Sequence, residues 1–397
     1  MNKIEELIEK LCPNGVEYKE LGEISNIETG EQLNRSKLFD KGLYPVLNGG
    51  VGFSGFYDEY NNEENTIAIS QGGASAGYVN FMLTKFWAGA HCFIICPNID
   101  IVINKFLFYY LKNGQLKLQS TKKGAGIPGI NRGEVKKFQI AIPPLAIQQE
   151  IVNILDKFTE LEVELEVELE ARRKQYEYYR NQLLTPIEVG GKWLMNGDEV
   201  EWKTLGEIGE FIRGNGLQKK DFTETGIGCI HYGQIYTYYG TYTYETKSFV
   251  SPELGKKLKK AQKGDLVIAA TSENVEDVCK AVAWLGEEEI AISGDAYIYR
   301  HYQNPKYIAY YYKTQMFFEH KKKYVSGTKV IRVSGDNMAK LKIPIPPLSE
   351  QERIVGILDK FDALVNDISK GLPAEIEARR KQYEYYRNKL LTFKEKE

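Results

Sequence analysis

Two stretches of the chain carry the same apolar stripe. Ile151, Ile154, Leu155 and Phe158 fall at i, i+3, i+4 and i+7, and Ile354, Ile357, Leu358 and Phe361 repeat the spacing. Each stripe predicts a helix with one buried face. Pro143-Pro144 and Pro346-Pro347 stand just ahead of them; the residue before a proline is driven out of the helical region, so the pairs mark helix boundaries. From Glu160 to Ala171 the pattern becomes strict alternation, Glu-Leu-Glu-Val twice and then Glu-Leu-Glu-Ala. Alternation is formally a strand signal, but the helical flanks and the helix propensity of Glu and Leu override it here. On a helix Leu161, Leu165 and Leu169 stack at i+4 while Val163 and Val167 face away, so a partner is expected on each side. After the second stripe, Gly371-Leu372-Pro373 breaks the helix, with Pro373 opening the next one.

The repetition extends well beyond the stripes and decides the architecture. Val16-Glu17-Tyr18-Lys19-Glu20-Leu21-Gly22-Glu23-Ile24 returns as Val200-Glu201-Trp202-Lys203-Thr204-Leu205-Gly206-Glu207-Ile208. Ile142-Pro143-Pro144-Leu145 with Gln148, then Ile154-Leu155-Asp156-Lys157-Phe158, returns as Ile345-Pro346-Pro347-Leu348 with Gln351, then Ile357-Leu358-Asp359-Lys360-Phe361. The segment from Glu170 to Asn181 reappears unchanged as Glu377 to Asn388. Each half is therefore a divergent block followed by a near-identical tail. The expected organisation is a first domain over 1–142 with an N-terminal helix, a helical spacer over 143–185, a second domain over 186–344 and a second spacer over 345–397.

Both blocks share landmarks: a glycine in the first loop (Gly30, Gly214) and an extended segment ending at Gly49 or Gly233. Strands are expected at Thr66 to Ser70 and Leu266 to Ala269, aromatic helices at Phe106 to Leu111 and Tyr307 to Tyr312, and Gly/Lys loops at 124–130 and 326–332. Short β-rich and aromatic runs punctuated by Gly indicate a mixed α/β (α+β) class. The predicted fold is two similar domains joined by two long helices in an antiparallel coiled coil. Its pseudo-two-fold symmetry is approximate, because the second tail is longer in its middle. About 38 helical residues would give a rod of roughly 55–60 Å.

Composition narrows the class further. At 397 residues the chain exceeds one ordinary core, on a prior of about one domain per 150 residues. No apolar run approaches the ~20 residues that span a bilayer. The acids in Met1-Asn2-Lys3-Ile4-Glu5-Glu6 sit where an export signal has basic and apolar regions, so a cytoplasmic protein is expected. Five scattered cysteines argue against a disulfide framework. His91, Cys92 and Cys96 form the only metal-like grouping, and alternation puts Cys92, Ile94 and Cys96 on one strand face. With nothing to complete four ligands, core packing is expected rather than zinc.

The formal net charge of −2 hides a segregation. Every second residue from Glu160 to Glu170 is Glu, whereas Lys122-Lys123, Lys256-Lys257, Lys259-Lys260 and Lys321-Lys322-Lys323 are basic clusters. Locally basic domains on an acidic connector can hold a polyanion despite a neutral total. Catalytic signatures are missing: the chain has no GxxxxGK[ST], GxSxG or HExxH, and no Asn-Pro-Pro-aromatic step. Glu17-Tyr18-Lys19 and Glu201-Trp202-Lys203 imitate the acidic-x-Lys step of metal-dependent nucleases, yet an upstream acid, Asp198, exists in one copy only. The opening strand of a domain is the simpler reading. No catalytic residue, metal site or cofactor is assigned to this chain.

The order of a variable block, Ile-Pro-Pro-Leu-x-x-Gln, Ile-Leu-Asp-Lys-Phe and Arg-Arg-Lys-Gln-Tyr-Glu-Tyr-Tyr-Arg, twice over, resembles the specificity subunits of type I restriction-modification enzymes. The likeness covers nearly the whole chain. The Arg-Arg-Lys tail and Gly371-Leu372-Pro373-Ala374-Glu375 are its most specific parts, and the tandem four-residue repeat resembles the central spacers of some members. The resemblance implies two target recognition domains at opposite ends of an antiparallel helical pair, each reading one half of an asymmetric double-stranded DNA target with a gap; the expected rod covers about 17 base pairs at 3.4 Å. It implies two modification subunits carrying S-adenosylmethionine and methylating adenine, and restriction subunits that translocate and cut DNA with ATP and magnesium. Those cofactors would belong to the partners.

Candidates for base reading are loop residues with forked groups: Asn34, Arg35 and Gln71 in the first domain, and Arg213, Asn215, Gln218, Gln234 and Asn274 in the second. Phosphate candidates are Lys37, Lys122, Lys123, Lys219, Lys220, Lys329 and Arg332. Tyr236, Tyr238 and Tyr239 could meet a groove or lie in a packed strand. Partner docking is expected on Tyr176, Tyr178, Tyr179 and Arg180 and their copies Tyr383, Tyr385, Tyr386 and Arg387, with self-packing of the helices competing for some of them. The rival readings are a coiled-coil scaffold whose blocks bind protein, and a cryptic metal-dependent nuclease.

Overall fold

Apolar runs too short for helices become the central strands of a sheet in each half. The computed structural model describes residues 2–124, 126 and 128–396; Ala125 and Ile127 of the first Gly/Lys loop, like Met1 and Glu397, lie outside the described residues. The chain divides into two units, Met1–Glu166 with Glu375–Glu397, and Val167–Ala374.

In the first unit an antiparallel four-stranded sheet runs in the order Ser25–Thr29, Cys92–Pro97, Thr66–Ser70, Val79–Met82. Its faces divide with period two. Ile67, Ile69, Phe93 and Ile95 pack with Phe106 and Tyr109 of the aromatic helix Asn104–Asn113. Ala68, Cys92 and Ile94 pack on the other face with Leu47, Phe86 and Ala88. Cys92 thus belongs to the core as expected, but Cys96, near the strand's end, is exposed rather than packed with it.

The second unit repeats the sheet order with Gly209–Arg213, Ala296–His301, Leu266–Ala269 and Ala281–Trp284, and adds Tyr242–Thr243 in parallel at the edge. A further five-stranded sheet lies in this unit, ordered Phe222–Thr223, Ser248–Val250, Ile227–Ile230, Ile290–Ile292, Lys260–Ala261. The shared glycines have one cause. A Cβ at Gly30 would sit 2.4 Å from the carbonyl oxygens of Ala88 and Gly89, and one at Gly214 would sit 2.2 Å from that of Ser293, so only glycine lets the backbone pass. One landmark differs: Gly233 does not end an extended segment but lies in the helix Tyr232–Thr237, which also carries Tyr236. His231 starts that helix by accepting from Gly233 N–H at 3.2 Å, while its own N–H donates to Gln234 at 3.0 Å. The tyrosine-rich segment is therefore no strand.

Each block is closed by pairing its opening and last strands, Glu17–Glu20 with Gln139–Ile142 and Glu201–Thr204 with Lys342–Ile345. The chain then enters a tail helix through the proline pair, and a fully buried glutamine fixes the corner. Ile103 N–H donates to Gln148 Oε1 at 2.8 Å, and Gln148 Nε2 donates to the carbonyls of Pro143 and Ile101 at 2.8 and 3.0 Å. Asn304 N–H donates to Gln351 Oε1 at 3.0 Å, and Gln351 Nε2 donates to Pro346 O at 2.9 Å and Gln303 Oε1 at 2.8 Å. About two turns on, Asp156 accepts from Lys105 at 2.8 Å and Tyr109 at 2.5 Å; Asp359 accepts from Lys306 and Tyr310, both at 2.7 Å.

Leu145–Leu184 is a single helix of 40 residues, so the alternating segment is helical as expected. In the second tail the helix Leu348–Asn366 ends before Gly371, and Leu372–Leu390 begins with Pro373 in its first turn. In the first unit the early part of the long helix pairs antiparallel with Leu372–Leu390: Phe158 stacks on Tyr386 at 5.6 Å, and Arg380 binds Glu162 and Glu166 at 2.5 and 2.6 Å. In the second unit its later part pairs with Leu348–Asn366: Tyr179 stacks on Phe361 at 5.4 Å, and Tyr176 OH donates to Asp362 at 3.0 Å. Leu161, Leu165 and Leu169 are half-buried. The second partner expected for the opposite side is not found among the described residues: Val163 and Val167 are 58% and 64% exposed.

Replacing Gln148 by Leu leaves three backbone groups at the corner, one buried and two partly buried, without this partner. Each such group costs roughly 1–3 kcal/mol, so urea unfolding of Gln148→Leu should show a loss of about 3 kcal/mol or more, and Gln351→Leu a similar one. An unchanged midpoint for both would refute the role given to this amide.

Candidate nucleic-acid interface

In the first unit the loop after Ser25–Thr29 forms a 3-10 turn over Arg35–Lys37. Asn34 caps it by accepting from Ser36 N–H at 3.0 Å, leaving Arg35 and Lys37 exposed. Arg35 shares a cavity of about 310 Å³ with Leu33, Asn48 and Gly89. Asn48, absent from the sequence candidates, also accepts from His91 N–H at 3.4 Å; its only sequence signal is its place beside Gly49-Gly50. Gln71 is half-buried, and its backbone bonds His91 O and Ile130 N–H, both at 2.9 Å. Lys122 donates to Ala74 O at 3.0 Å and Lys123 pairs with Glu134 at 2.8 Å. Gln71, Lys122 and Lys123 are thus gathered where the Gly/Lys loop meets the 70–78 loop.

In the second unit Lys219 and Asn274 line one cavity of about 440 Å³ with Tyr232, Tyr236, Ser272 and Val330. Strand Ile331–Arg332 pairs with Thr271–Ser272, which brings Lys329 and Arg332 to its rim, both exposed. Lys220 and Gln218 are exposed on the adjoining 3-10 turn Lys219–Asp221. Arg213 is exposed and donates to Gly294 O at 3.1 Å. Asn274 has both amide atoms on Asp277, at 2.7 and 2.9 Å.

Two candidates are redirected by their bonds. Asn215 donates to Lys257 O at 3.1 Å and accepts from Lys259 N–H at 2.7 Å, so its amide braces a loop. Gln234 is buried, accepts from His231 N–H and donates to Ser248 at 2.7 Å. Neither offers a fork to a base as placed. Tyr238 is 56% exposed and Tyr239 half-buried.

The docking candidates divide as well. Tyr176 is buried, Tyr179 stacks on Phe361, and Arg180 lies over the Tyr176 ring. Tyr383 and Tyr386 pack against Phe158, and Arg387 donates to Asn113 at 3.1 Å. Tyr176 is buried and Tyr383 and Tyr386 are half-buried on the apolar side of their tails, while Tyr179, though stacked, is still 39% exposed. Tyr178 and Tyr385 remain 57% and 62% exposed.

Each aromatic helix is followed or ended by a lysine beside a tail arginine. Lys112 donates to Val79 O and Gln115, both at 3.0 Å, and lies over the Tyr78 ring. Burial, and then Arg387, push it down to about 8. Lys313 donates to Thr241 at 2.7 Å. Burial pushes it down to about 8 as well; Asp362 opposes the shift, and Arg180 and Lys280 add to it. The Glu17 and Glu201 carboxylates pair at 3.4 Å with Lys19 and Lys203 of their own strands. Among the described residues no three His, Cys, Asp or Glu gather as metal ligands, and no helix is long and apolar enough to cross a membrane.

A duplicated sheet domain with basic loops, each copy on its own tail, defines a protein built to present two related but different surfaces. Comparison with known proteins gives that class a name. The family described as the type I restriction modification DNA specificity domain matches residues 13–172 and again 197–378. The chain is 31% identical to a type I restriction enzyme specificity subunit of Haemophilus influenzae, over 97% of this chain and 98% of that one. It is also 31% identical to the EcoR124I/EcoR124II specificity subunit of Escherichia coli, over 95% and 94%. Its fold is similar to that of the type I S subunit from M. genitalium, with TM-score 0.58, 19% identity and coverage of 95% and 96%. A chain from a structure on complex assembly and conformational transition of the type I R-M system gives TM-score 0.62, 15% identity and coverage of 96% and 98%. The chain belongs to the type I restriction-modification specificity subunit family.

Between about pH 8 and 10.5 an unfolded lysine holds its proton while folded Lys313 has released it, so the unfolded state binds more protons and stability rises with pH in that window. Lys313→Met removes this contribution. From pH 7.5 to 10 the stability difference should shift in favour of the wild type by roughly 1–2 kcal/mol, read by urea unfolding; a shift of opposite sign would contradict the assignment.

Proposed function

We propose that this chain reads a bipartite, asymmetric double-stranded DNA sequence and does no chemistry itself. The observation that carries this is one sheet order built twice, on tails whose repeated residues are nearly identical, with loops that differ in sequence and bonding. Divergent loops fit two different half-sites; repeated tails fit one surface used twice. Residues 1–142 and 186–344 are the target recognition domains, and 143–185 and 345–397 are the spacers that set the gap.

Base contacts come from Arg35, Gln71, Arg213 and Gln218, with Asn34, Asn48 and Asn274 holding their loops. Lys37, Lys122, Lys123, Lys219, Lys220, Lys329 and Arg332 meet phosphates, which position the protein without specifying sequence. Two modification subunits dock through exposed tail residues, Tyr178 and Tyr385 among them, and methylate adenine with S-adenosylmethionine. Restriction subunits add ATP- and magnesium-dependent translocation and cleavage, in the cytoplasm. The nuclease alternative loses its support, since the Glu-x-Lys carboxylates are engaged by their own lysines.

Long-read methylation sequencing of a host carrying the chain with its modification partner tests the reading. A gapped, methylated motif is expected; DNA cleavage by the chain alone would overturn it. Deleting Glu164 to Val167 removes about 6 Å of helix, and the gap should shorten while both half-sites stay the same. Exchanging residues 203–342 for another block should change one half of the target only, and a change in both halves would refute modular reading.

A further inference from the structure

In the second unit, a cavity of about 360 Å³ opens where the tail helix meets the sheet domain, within the roughly 300–1,000 Å³ of small-molecule sites. Four cations line it, Arg180, Lys280, Lys313 and Lys321, against two acids, Glu177 and Glu276. Arg180 and Lys280 have carboxylate neighbours, Glu177 at 3.7 Å and Asp277 at 2.6 Å. Lys313 and Lys321 feel carboxylates only from further off, Asp362 for the first and Asp277 and Glu276 for the second. Lys313 binds the Thr241 hydroxyl at 2.7 Å, and Lys321 binds the carbonyls of Glu276 and Val278 at 2.8 and 2.6 Å. Among the described residues no carboxylate lies within ion-pair distance of either ammonium. Burying such groups beside two further cations is costly unless a counter-charge joins them.

We propose that this cavity binds a phosphate-bearing small molecule of mononucleotide size. A phosphate monoester carries about −1.5 to −2 charges at neutral pH and three acceptor oxygens, which matches two unpaired ammonium groups better than one carboxylate does. Tyr236, Tyr239 and Phe318 line the same cavity and supply faces for a planar ring. Occupancy is one per chain, because every residue lining this cavity belongs to the second unit. The site does not depend on the DNA reading. It does share Tyr236 with the cavity holding Lys219 and Asn274, so a ligand here touches the wall of that loop cluster.

Isothermal titration calorimetry of the full chain, with AMP, inorganic phosphate and adenosine in separate arms, tests it. AMP should bind at one per chain, phosphate should compete with it, and adenosine should bind at least about tenfold more weakly, a difference of about 1.4 kcal/mol. Lys313→Met and the exposed-site variant Lys280→Ala should each weaken AMP at least about tenfold, while Lys112→Met leaves it unchanged; thermal melting checks that each variant is folded. No heat with AMP up to about 5 mM, equal binding of adenosine, or indifference to Lys280→Ala in folded protein would overturn the proposal. So would displacement of AMP by a duplex of unrelated sequence, which would make the phosphate that of DNA.

Discussion

A single buried amide in each half fixes the direction in which the chain leaves its sheet domain. The proline pair ends the last strand but leaves the carbonyl of its first, buried proline at the corner. Gln148 and Gln351 each satisfy that corner and, with the other end of the amide, hold the backbone N–H just ahead of the aromatic helix. An amide has both a donor and an acceptor end, so it can join two segments that each lack a partner. A carboxylate, hydroxyl or ammonium cannot do both jobs across that span. Asp156 and Asp359 then clamp the same aromatic helix about two turns later through a lysine and a tyrosine. The tail helix is thereby oriented by its own domain, and everything that depends on its direction follows.

The identical tails acquire a meaning from this geometry. Phe158 of the first copy packs on Tyr383 and Tyr386 of the second, and Phe361 of the second packs on Tyr176 and Tyr179 of the first. Each copy therefore completes a structure begun by the other. Because the same rings must fit the same phenylalanine in both places, their repetition is accounted for by internal packing. Tyr178 and Tyr385 are different, being repeated yet more than half exposed, each set edge-on against its neighbour Tyr179 or Tyr386. A surface used twice would be carried by those exposed residues rather than by the repeat as a whole.

Much of the fold was legible because periodicity and repetition are properties of sequence. The helical stripes, the break at Gly371 to Pro373, the core strands and the aromatic helices could be read directly. The alternating Glu-rich segment was readable only by weighing its flanks, and its second face was misjudged: alternation placed Val163 and Val167 opposite the leucines, but nothing in the pattern said that this side would meet solvent. The helix at Tyr232–Thr237 escaped notice because its start depends on His231, a residue whose capping role is decided by side-chain geometry.

The candidate site was less legible, for a reason rooted in chemistry. Asn, Gln and Arg suit base edges because they present several hydrogen-bonding groups in a fixed plane, and the same property suits them to bracing irregular backbone. Sequence offers no way to tell one use from the other. Asn215 and Gln234 are braces at both amide ends, and Asn274 closes its own turn on Asp277. Bracing is nevertheless part of reading, since a loop must be held before a neighbouring side chain can discriminate a base. A change at exposed Arg213 or Gln218 thus leaves the scaffold standing, whereas one at Asn215 or Gln234 alters backbone that those amides brace. This explains how blocks so different in sequence can keep one sheet order: the variation falls on side chains held by a fixed frame, and the frame is held by its own amides.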